Sequence, residues 1–431
     1  MAKGQFFIMK RLLSIVLILM LSSFGLAAKH RRVHSATQRL AKQSEAEGLL
    51  AQSVWGFCAV TMDGDTLVWL NPEKRLVPAS NMKLITTGAA LLNLGGDFIY
   101  KTGFATDGLV RDSILIGNLY LIGGGDPLIG EIFPYLPKPE SIFQKWEQVL
   151  KDKGIKGIQG DIIGDGSFFS GELSHSDWST EDLHTRDGVV PSGLSWRGKM
   201  GDSIPDGPYP AALHYLEWLN SDNSSISVSG TALEGHADSL TFLGEIPSEP
   251  LHELVGTANR QSDNFISETL IKTLGKHHFG ADDYKSSTRA LRRSLSPLGL
   301  MAESGKMRFA DGSGLSRKNY ISPSFMVGFL NAMARSRVYS DFLNSLPYAG
   351  EKNTTLQNRL SKAPSELRLR VRMKSGSMNG VNCFSGYILP GDGKPSKTIV
   401  FSLLTNNSVA SNSTVCTLLD EMIISLAREN E

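Results

Sequence analysis

The apolar positions of this chain fall into stretches of different period. Residues 12 to 21, LLSIVLILML, are apolar without interruption. Residues 53 to 72, SVWGFCAVTMDGDTLVWLNP, are two β-rich runs around a polar turn, which predicts a hairpin. In VPASNMKLITTGAALLNLGG (77 to 96), Leu84, Ala89, Leu91 and Leu92 recur at the spacing of a core-facing helix. Pro78 precedes its start, and Gly95 and Gly96 mark its stop. From residue 98 to 243 the texture changes to short strand-like runs between Gly and Asp turns, such as SILIGNLYLIGGGDP and IQGDIIGDGSFF, with one helical segment at 141 to 154. From 244 helices return, most clearly in PLHELVGTANRQSDNFISETLIKTLG. The end reads as strand, turn, strand and helix: GYILPGDG, KTIVFSLLTNN and STVCTLLDEMIISLA.

Composition narrows the picture. With 431 residues, 41% hydrophobic and 20% charged, the chain is long enough for a large core and two or more domains. Lys plus Arg number 44 against 43 acids, so nothing in the charge suggests a nucleic-acid partner. Lys3, Lys10 and Arg11 before the apolar run, and the small residues Gly25, Ala27 and Ala28 after it, read as a signal peptide over 1 to 28. The expectation is an exported, periplasmic protein with at most peripheral membrane contact; an uncleaved anchor is the alternative. Cys58, Cys383 and Cys416 are odd in number and widely spaced, which predicts buried thiols. The nine histidines show no metal-ligand spacing, so no metal or cofactor is expected.

The chemistry starts at Ser80 and Lys83. A lysine in the first turn of a helix opposes the macrodipole, whereas a spacing of three puts hydroxyl and amine on one face. That pairing suits a serine nucleophile with a lysine base. If the pair belongs to a penicillin-recognising enzyme, a Ser-x-Asn and then a Lys-[Ser/Thr]-Gly must follow in order. Both occur twice. Ser221–Asn223 lies in a polar turn of the middle region, while Ser262–Asn264 opens an amphipathic helix and is the better candidate. The KTG of Lys101 to Gly103 precedes either SDN and is out of order; Lys374, Ser375 and Gly376 stand before an apolar hairpin and terminal helix.

With these motifs, GGGDP, GDIIGDGSFF, SDNFISETLIKTLG, FADGSGLSRKNYISP and KSGSMNGVNCFSGYI, the chain resembles the D-alanyl-D-alanine carboxypeptidase/endopeptidase family of class C low-molecular-mass penicillin-binding proteins. The resemblance implies an α+β fold, a β-lactamase-like antiparallel sheet flanked by helices, built from 29 to 97 and 244 to 431. The family's large insert, mostly β, would then occupy 98 to 243. It also implies Ser80 as nucleophile, Lys83 as base with its pKa lowered by burial and by Lys374, and Ser262 as proton relay. Asn264 would orient Lys83 and substrate, Lys374 and Ser375 would hold a terminal carboxylate, and Gly376 belongs to the same motif. N–H groups of Ser80 and Ser377 would form the oxyanion hole. Asp165, Arg317, Met378 and Asn379 are candidates for gripping the third-position side chain of a peptidoglycan stem peptide. β-Lactams would be covalent inhibitors. Ser375 in place of threonine and Cys383 beside the active strand depart from the family pattern. A β-lactamase or esterase on the same scaffold, an inactive cell-wall-binding protein and a general serine hydrolase are the alternatives. The length between Ser80 and Ser262, the presence of all five polar catalytic groups, and the lack of a His-based triad signature weigh against them in turn.

Overall fold

The computed structural model describes residues 35–131, 133–172, 174–183, 190–198 and 207–429. The apolar run of 12 to 21, and the export reading built on it, lie outside these residues. Helix α1 (Ala36–Glu47) leads into the expected hairpin, β1 (Val54–Thr61) and β2 (Thr66–Leu70), with Ala59 opposite Val68. A single 3-10 turn, Ala79–Asn81, then runs into α2 (Met82–Leu94), which stops at Gly95 with φ 83°.

The middle region follows as β3 (Lys101–Thr106), β4 (Leu109–Arg111), β5 (Ile114–Ile116), β6 (Leu119–Ile122), α3 (Pro139–Asp152), β7 (Gly157–Gln159), β8 (Ile162–Asp165), α4 (Pro208–Leu219), β9 (Ser227–Val228), β10 (Ala232–Glu234) and β11 (Thr241–Pro247). The chain then returns through α5 (Leu251–Gln261), α6 (Asn264–Phe279), α7 (Tyr284–Ser294) and α8 (Pro323–Met333) to β12 (Val371–Met378), β13 (Val381–Ile388), β14 (Ile399–Asn406) and α9 (Asn412–Arg428). Shorter helical turns lie at Thr180–Leu183, Met301–Ser304, Tyr339–Ser345 and Ser365–Arg370.

The central sheet has the order β12-β13-β14-β1-β2, and every neighbouring pair is antiparallel. Its inner strands are buried on both faces because successive side chains point to opposite sides and both sides are apolar. Phe57, Ala59, Phe401 and Leu403 join a core with Val415, Leu419, Met422 and Ile423 of α9. Cys58, Val60, Val400 and Leu404 join the other, with Leu84 and Ile85 of α2 and Met326, Phe329 and Leu330 of α8. The C-terminal helix is thus half of a core layer. The fold is α+β, with helices on both faces of one antiparallel sheet.

The middle region builds two sheets of its own, β10-β8-β6-β3-β11 and β4-β5-β7-β9. Its entry and exit strands pair antiparallel, Lys101 opposite Pro247. It is less purely β than the sequence suggested. Phe104, Leu121 and Ile162 pack on Trp146 and Leu150 of α3 and on Tyr215, Trp218 and Leu219 of α4. The α4 segment PYPAALHYLEWL buries Ala211, Ala212, Tyr215, Trp218 and Leu219, a helical spacing behind an N-terminal proline.

Candidate active site

Ser80 sits in the 3-10 turn, not in the α-helix proper, and the residue before it, Ala79, has φ 45°. That left-handed backbone is costly for a residue with a Cβ and persists because its surroundings hold it. Gly314 packs against the Ala79 carbonyl so closely that a Cβ on Gly314 would overlap it. The amide of Asn81 and the Ser385 hydroxyl hydrogen-bond at 2.8 Å, tying the turn to β13. Lys83 is fully buried. Its Nζ lies 3.1 Å from Ser80 Oγ, and it donates to Asn264 Oδ1 at 2.6 Å and to the Ser313 carbonyl at 2.7 Å.

Ser262 and Asn264 stand where α5 breaks into α6. The sequence places a helix start here, and Ser262 is left-handed (φ 59°, ψ 38°) and closes α5. Asp263 then caps α6, its Oδ1 accepting the Ile266 N–H at 2.9 Å. The other Asp263 oxygen accepts from Arg197 Nη2 at 2.8 Å and from the Tyr135 hydroxyl at 2.7 Å. Burial opposes ionisation of Asp263, but Arg197, the Ile266 N–H and Tyr135 outweigh it and hold the carboxyl below its ordinary value. Arg197 and Tyr135 come from the middle region, so that region braces the turn carrying Ser262 and Asn264.

The third side is β12. Lys374 is fully buried, and its Nζ donates to the Ser375 carbonyl at 2.7 Å. Burial disfavours its charge and Lys83 nearby adds repulsion, so its pKa is held well below the usual lysine value. Ser375 Oγ donates to Thr355 Oγ1 at 3.1 Å. Gly376 lies against the Ser80 turn: a Cβ there would stand 3.0 Å from the Ser80 nitrogen. Further along, Asn412 donates to Ser377 Oγ at 3.2 Å and to the Met378 carbonyl at 3.3 Å, and Arg317 donates to the Asn379 carbonyl at 3.2 Å. Ser80, Ser262, Asn264, Arg317 and the segment Ser375 to Asn379 line one cleft of about 1140 Å³. Among the described residues, no group of three or more His, Cys, Asp or Glu is placed to hold a metal ion.

Residues 36–198 and 221–427 match the D-Ala-D-Ala carboxypeptidase 3 (S13) family. The chain belongs to that family. It is a serine-type peptidase of the penicillin-binding kind. A D-alanyl-D-alanine carboxypeptidase of Actinomadura sp. (strain R39) is 26% identical, with 80% of this chain and 76% of that protein covered. The carboxypeptidase DacB of Haemophilus influenzae is 23% identical, with 79% and 83% covered. The crystal structure of penicillin binding protein 4 from Haemophilus influenzae has the same fold, with a TM-score of 0.74 over 91% of this chain and 99% of that one at 20% identity.

Within this S13 chain the duplicate motifs that were set aside lie away from the cleft. Lys101 pairs with Glu245 across the β3–β11 ladder, and Ser221 Oγ donates to the Trp218 carbonyl at 2.7 Å. Asp165 is also elsewhere, which corrects the expectation that it joins Arg317, Met378 and Asn379 in gripping a third-position side chain. It is 2% exposed, accepts the Ser167 N–H at 2.8 Å and lies 2.7 Å from His236 Nδ1, in a separate cavity. It ends a buried strand of the middle region, where Ser167 and His236 occupy one carboxylate oxygen each. The acids that do line the catalytic cleft are Asp177, Glu181 and Asp182. Sequence reasoning missed them; the one signal was the acidic run SDWSTED before a segment with no apolar period. The same arm brings Lys318 onto Asp177 and puts the Trp178 indole N–H 2.9 Å from Asp311.

The thiols are mixed. Cys58 and Cys383 are buried and Cys416 is partly so, and all three are free. Burial pushes the Cys383 thiol up, away from the reactive thiolate, even though Cys383 is paired with Gly376 in the ladder.

Proposed function

We propose that this chain cleaves the bond between two D-alanines, and the corresponding D-centred cross-link, in peptidoglycan stem peptides through a Ser80 acyl-enzyme. The observation that carries this reading is the pair of fully buried lysines around Ser80. One amine within hydrogen-bonding distance of a serine hydroxyl serves as its base. A second, with charge disfavoured by burial and by the first, is a socket for an anion, and a peptide's terminal carboxylate supplies it.

Ser80 Oγ attacks the carbonyl of the penultimate D-alanine as its proton passes to Lys83 Nζ. The oxyanion forms against the N–H groups of Ser80 and Ser377, each worth roughly 3–4 kcal/mol in comparable sites. Ser262 relays a proton to the departing amine, the C–N bond breaks, and water then hydrolyses the ester and restores Ser80. β-Lactams acylate the same hydroxyl and are released slowly.

Cross-link cleavage is favoured by a second groove of about 620 Å³ that continues past Ser262 between Phe133, Tyr135 and Asn353 to Thr355. It leaves room for a leaving group longer than one amino acid. On the opposite arm Arg317 faces the third-position side chain, with the cleft acids Glu181 and Asp182 suited to a free amine. The N-terminal pattern of Lys3, Lys10 and Arg11 before an apolar run supports an exported, periplasmic location.

Labelled penicillin tests the core of this reading. Ser80→Ala should abolish labelling while the protein stays folded, and mapping should find the label on Ser80. Arg317→Ala should lower kcat/KM on a diamino-acid peptide about tenfold or more and leave penicillin acylation unchanged. Labelling that persists in Ser80→Ala refutes the mechanism.

A further inference from the structure

Behind Lys83 lies a carboxyl to which the acylation chemistry assigns no task. Along α6, Asn264, Glu268 and Lys272 follow at four-residue intervals and share one face. Glu268 is fully buried. Its Oε1 accepts the Gly312 N–H at 3.0 Å and the Ser313 N–H at 2.6 Å. Burial and the neighbouring Asp311 push its pKa up to about 8 despite those two donors. A buried carboxyl is expensive for the fold, and an apolar side chain would fill the same volume at less cost.

What the two N–H bonds accomplish is visible at the other end of Ser313. The carbonyl of Ser313 accepts from Lys83 Nζ at 2.7 Å. A neutral amine has two N–H bonds and one lone pair. Asn264 Oδ1 and the Ser313 carbonyl can only accept, so together they take the two N–H bonds and turn the lone pair toward Ser80 Oγ, 3.1 Å away. The loop bearing Ser313 is fastened on its far side by Asp311, which accepts from the N–H groups of Gly314 (2.8 Å) and Ser316 (2.6 Å). Thr86 of α2 donates to the Gly312 carbonyl at 2.7 Å. From α6, Glu268 grips the two peptide units that flank Gly312, the second of which ends at Ser313, while Asp311 holds the Gly314 N–H of the next unit, the one that carries the Ser313 carbonyl.

We propose that Glu268 is a positioning residue for acylation, holding the Ser313 carbonyl on the Lys83 amine through the Gly312–Ser313 segment. Asn264 and Glu268, one turn apart on α6, then set the lysine's two acceptors, one directly and one through the loop.

The inference rests on Ser80 as nucleophile and Lys83 as base, and its test separates the two. The first-order acylation constant and the dissociation constant of the preceding complex are measured with labelled penicillin in Glu268→Gln, Glu268→Met and Ser80→Ala. Glutamine keeps an acceptor for both N–H groups; methionine keeps the volume and has none. In Glu268→Met the acylation constant should fall at least about tenfold with the dissociation constant unchanged, since a misaimed base affects the step and not the binding. Glu268→Gln should stay within about threefold of the parent. A residue that only fills space would alter the labelled fraction and the unfolding midpoint but not the rate constant of the folded molecules. A parent-like constant in Glu268→Met, with the label still on Ser80, overturns the inference and leaves the mechanism standing. A Gln variant as slow as Met overturns it too, because an acceptor alone would then not suffice. Labelling of Ser80→Ala would refute the mechanism itself. If Glu268→Met does not accumulate folded, Glu268→Asp, one methylene shorter, replaces it with the same expected fall and the same refutation.

Discussion

Replacing Gly376 by alanine tests the joint between β12 and the Ser80 turn. The new Cβ would stand 2.8 Å from the Pro78 carbonyl oxygen, 3.0 Å from the Ser80 nitrogen and 3.1 Å from the Asn81 nitrogen. Ordinary contact begins near 3.4 Å, so the worst approach is tight by more than half an ångström. All three atoms are backbone, so no rotamer change relieves the overlap. The turn has little room to retreat, because Asn81 is tied to Ser385 and Ala79 is pinned in a left-handed conformation against Gly314. Overpacking of this kind costs about 1–3 kcal/mol. A 1 Å misplacement of a reacting group costs roughly a hundredfold in rate, so a shift of about half that predicts a loss near tenfold. The assay pairs the penicillin acylation constant with the urea midpoint of Gly376→Ala. A parent-like acylation constant would refute the argument, because Ser80 would then tolerate movement of the strand beside it.

Three other expectations follow from the same contacts. Lys101→Ala and Ser221→Ala should leave acylation unchanged, since both lie in the middle region, whereas Lys374→Ala should slow it by orders of magnitude; a large defect at Lys101 alone would reverse the motif assignment. Lys374 binds fewer protons in the native state than in the unfolded chain between its depressed native pKa and the usual value of about 10.4. Its contribution to stability therefore rises with pH across that window, and the parent should gain on Lys374→Met in urea midpoint from pH 7 to pH 10; a constant gap would contradict the buried, repelled amine. Arg197→Met leaves the Asp263 carboxylate buried without its cation and should cost about 3–5 kcal/mol. Asp263 has a depressed native pKa, so its contribution is present above about 3.9 and lost as pH falls through the lower native value. The variant should accordingly unfold at higher pH on acidification, and an unchanged acid transition would discount the ion pair.

Much of the candidate site was legible because each motif carries its own local signature. The step from Ser80 to Lys83 is one turn, Ser262 to Asn264 marks the start of an amphipathic helix, and Lys374 to Gly376 precedes an alternating hairpin. Order along the chain then set aside the copy at Lys101, and local setting, a polar turn rather than a helix start, set aside the copy at Ser221. The Asp165 expectation failed for a related reason: a motif names a residue, but it does not say which way the end of its strand faces. The helix start at Ser262 to Asn264 was legible, but the left-handed backbone of Ser262 that closes α5 was not, because a serine carries no signal for that conformation.

By itself the sequence marked many of the elements and the candidate site residues, though not α4, since the 3.6- and 2-residue periods and the motif spacings are local properties of the chain. Only the tertiary structure decided which groups meet. Lys83 reaches Asn264 across 181 positions and the Ser313 carbonyl across 230, and that carbonyl is a backbone atom no side-chain pattern can single out. The middle region was read as an insert in the sequence; in the fold it delivers Arg197 and Tyr135 to Asp263 and Trp178 to Asp311. Such contacts follow from how whole buried faces of separate elements fit together, and that fit is a property of the packed core rather than of any one stretch of residues.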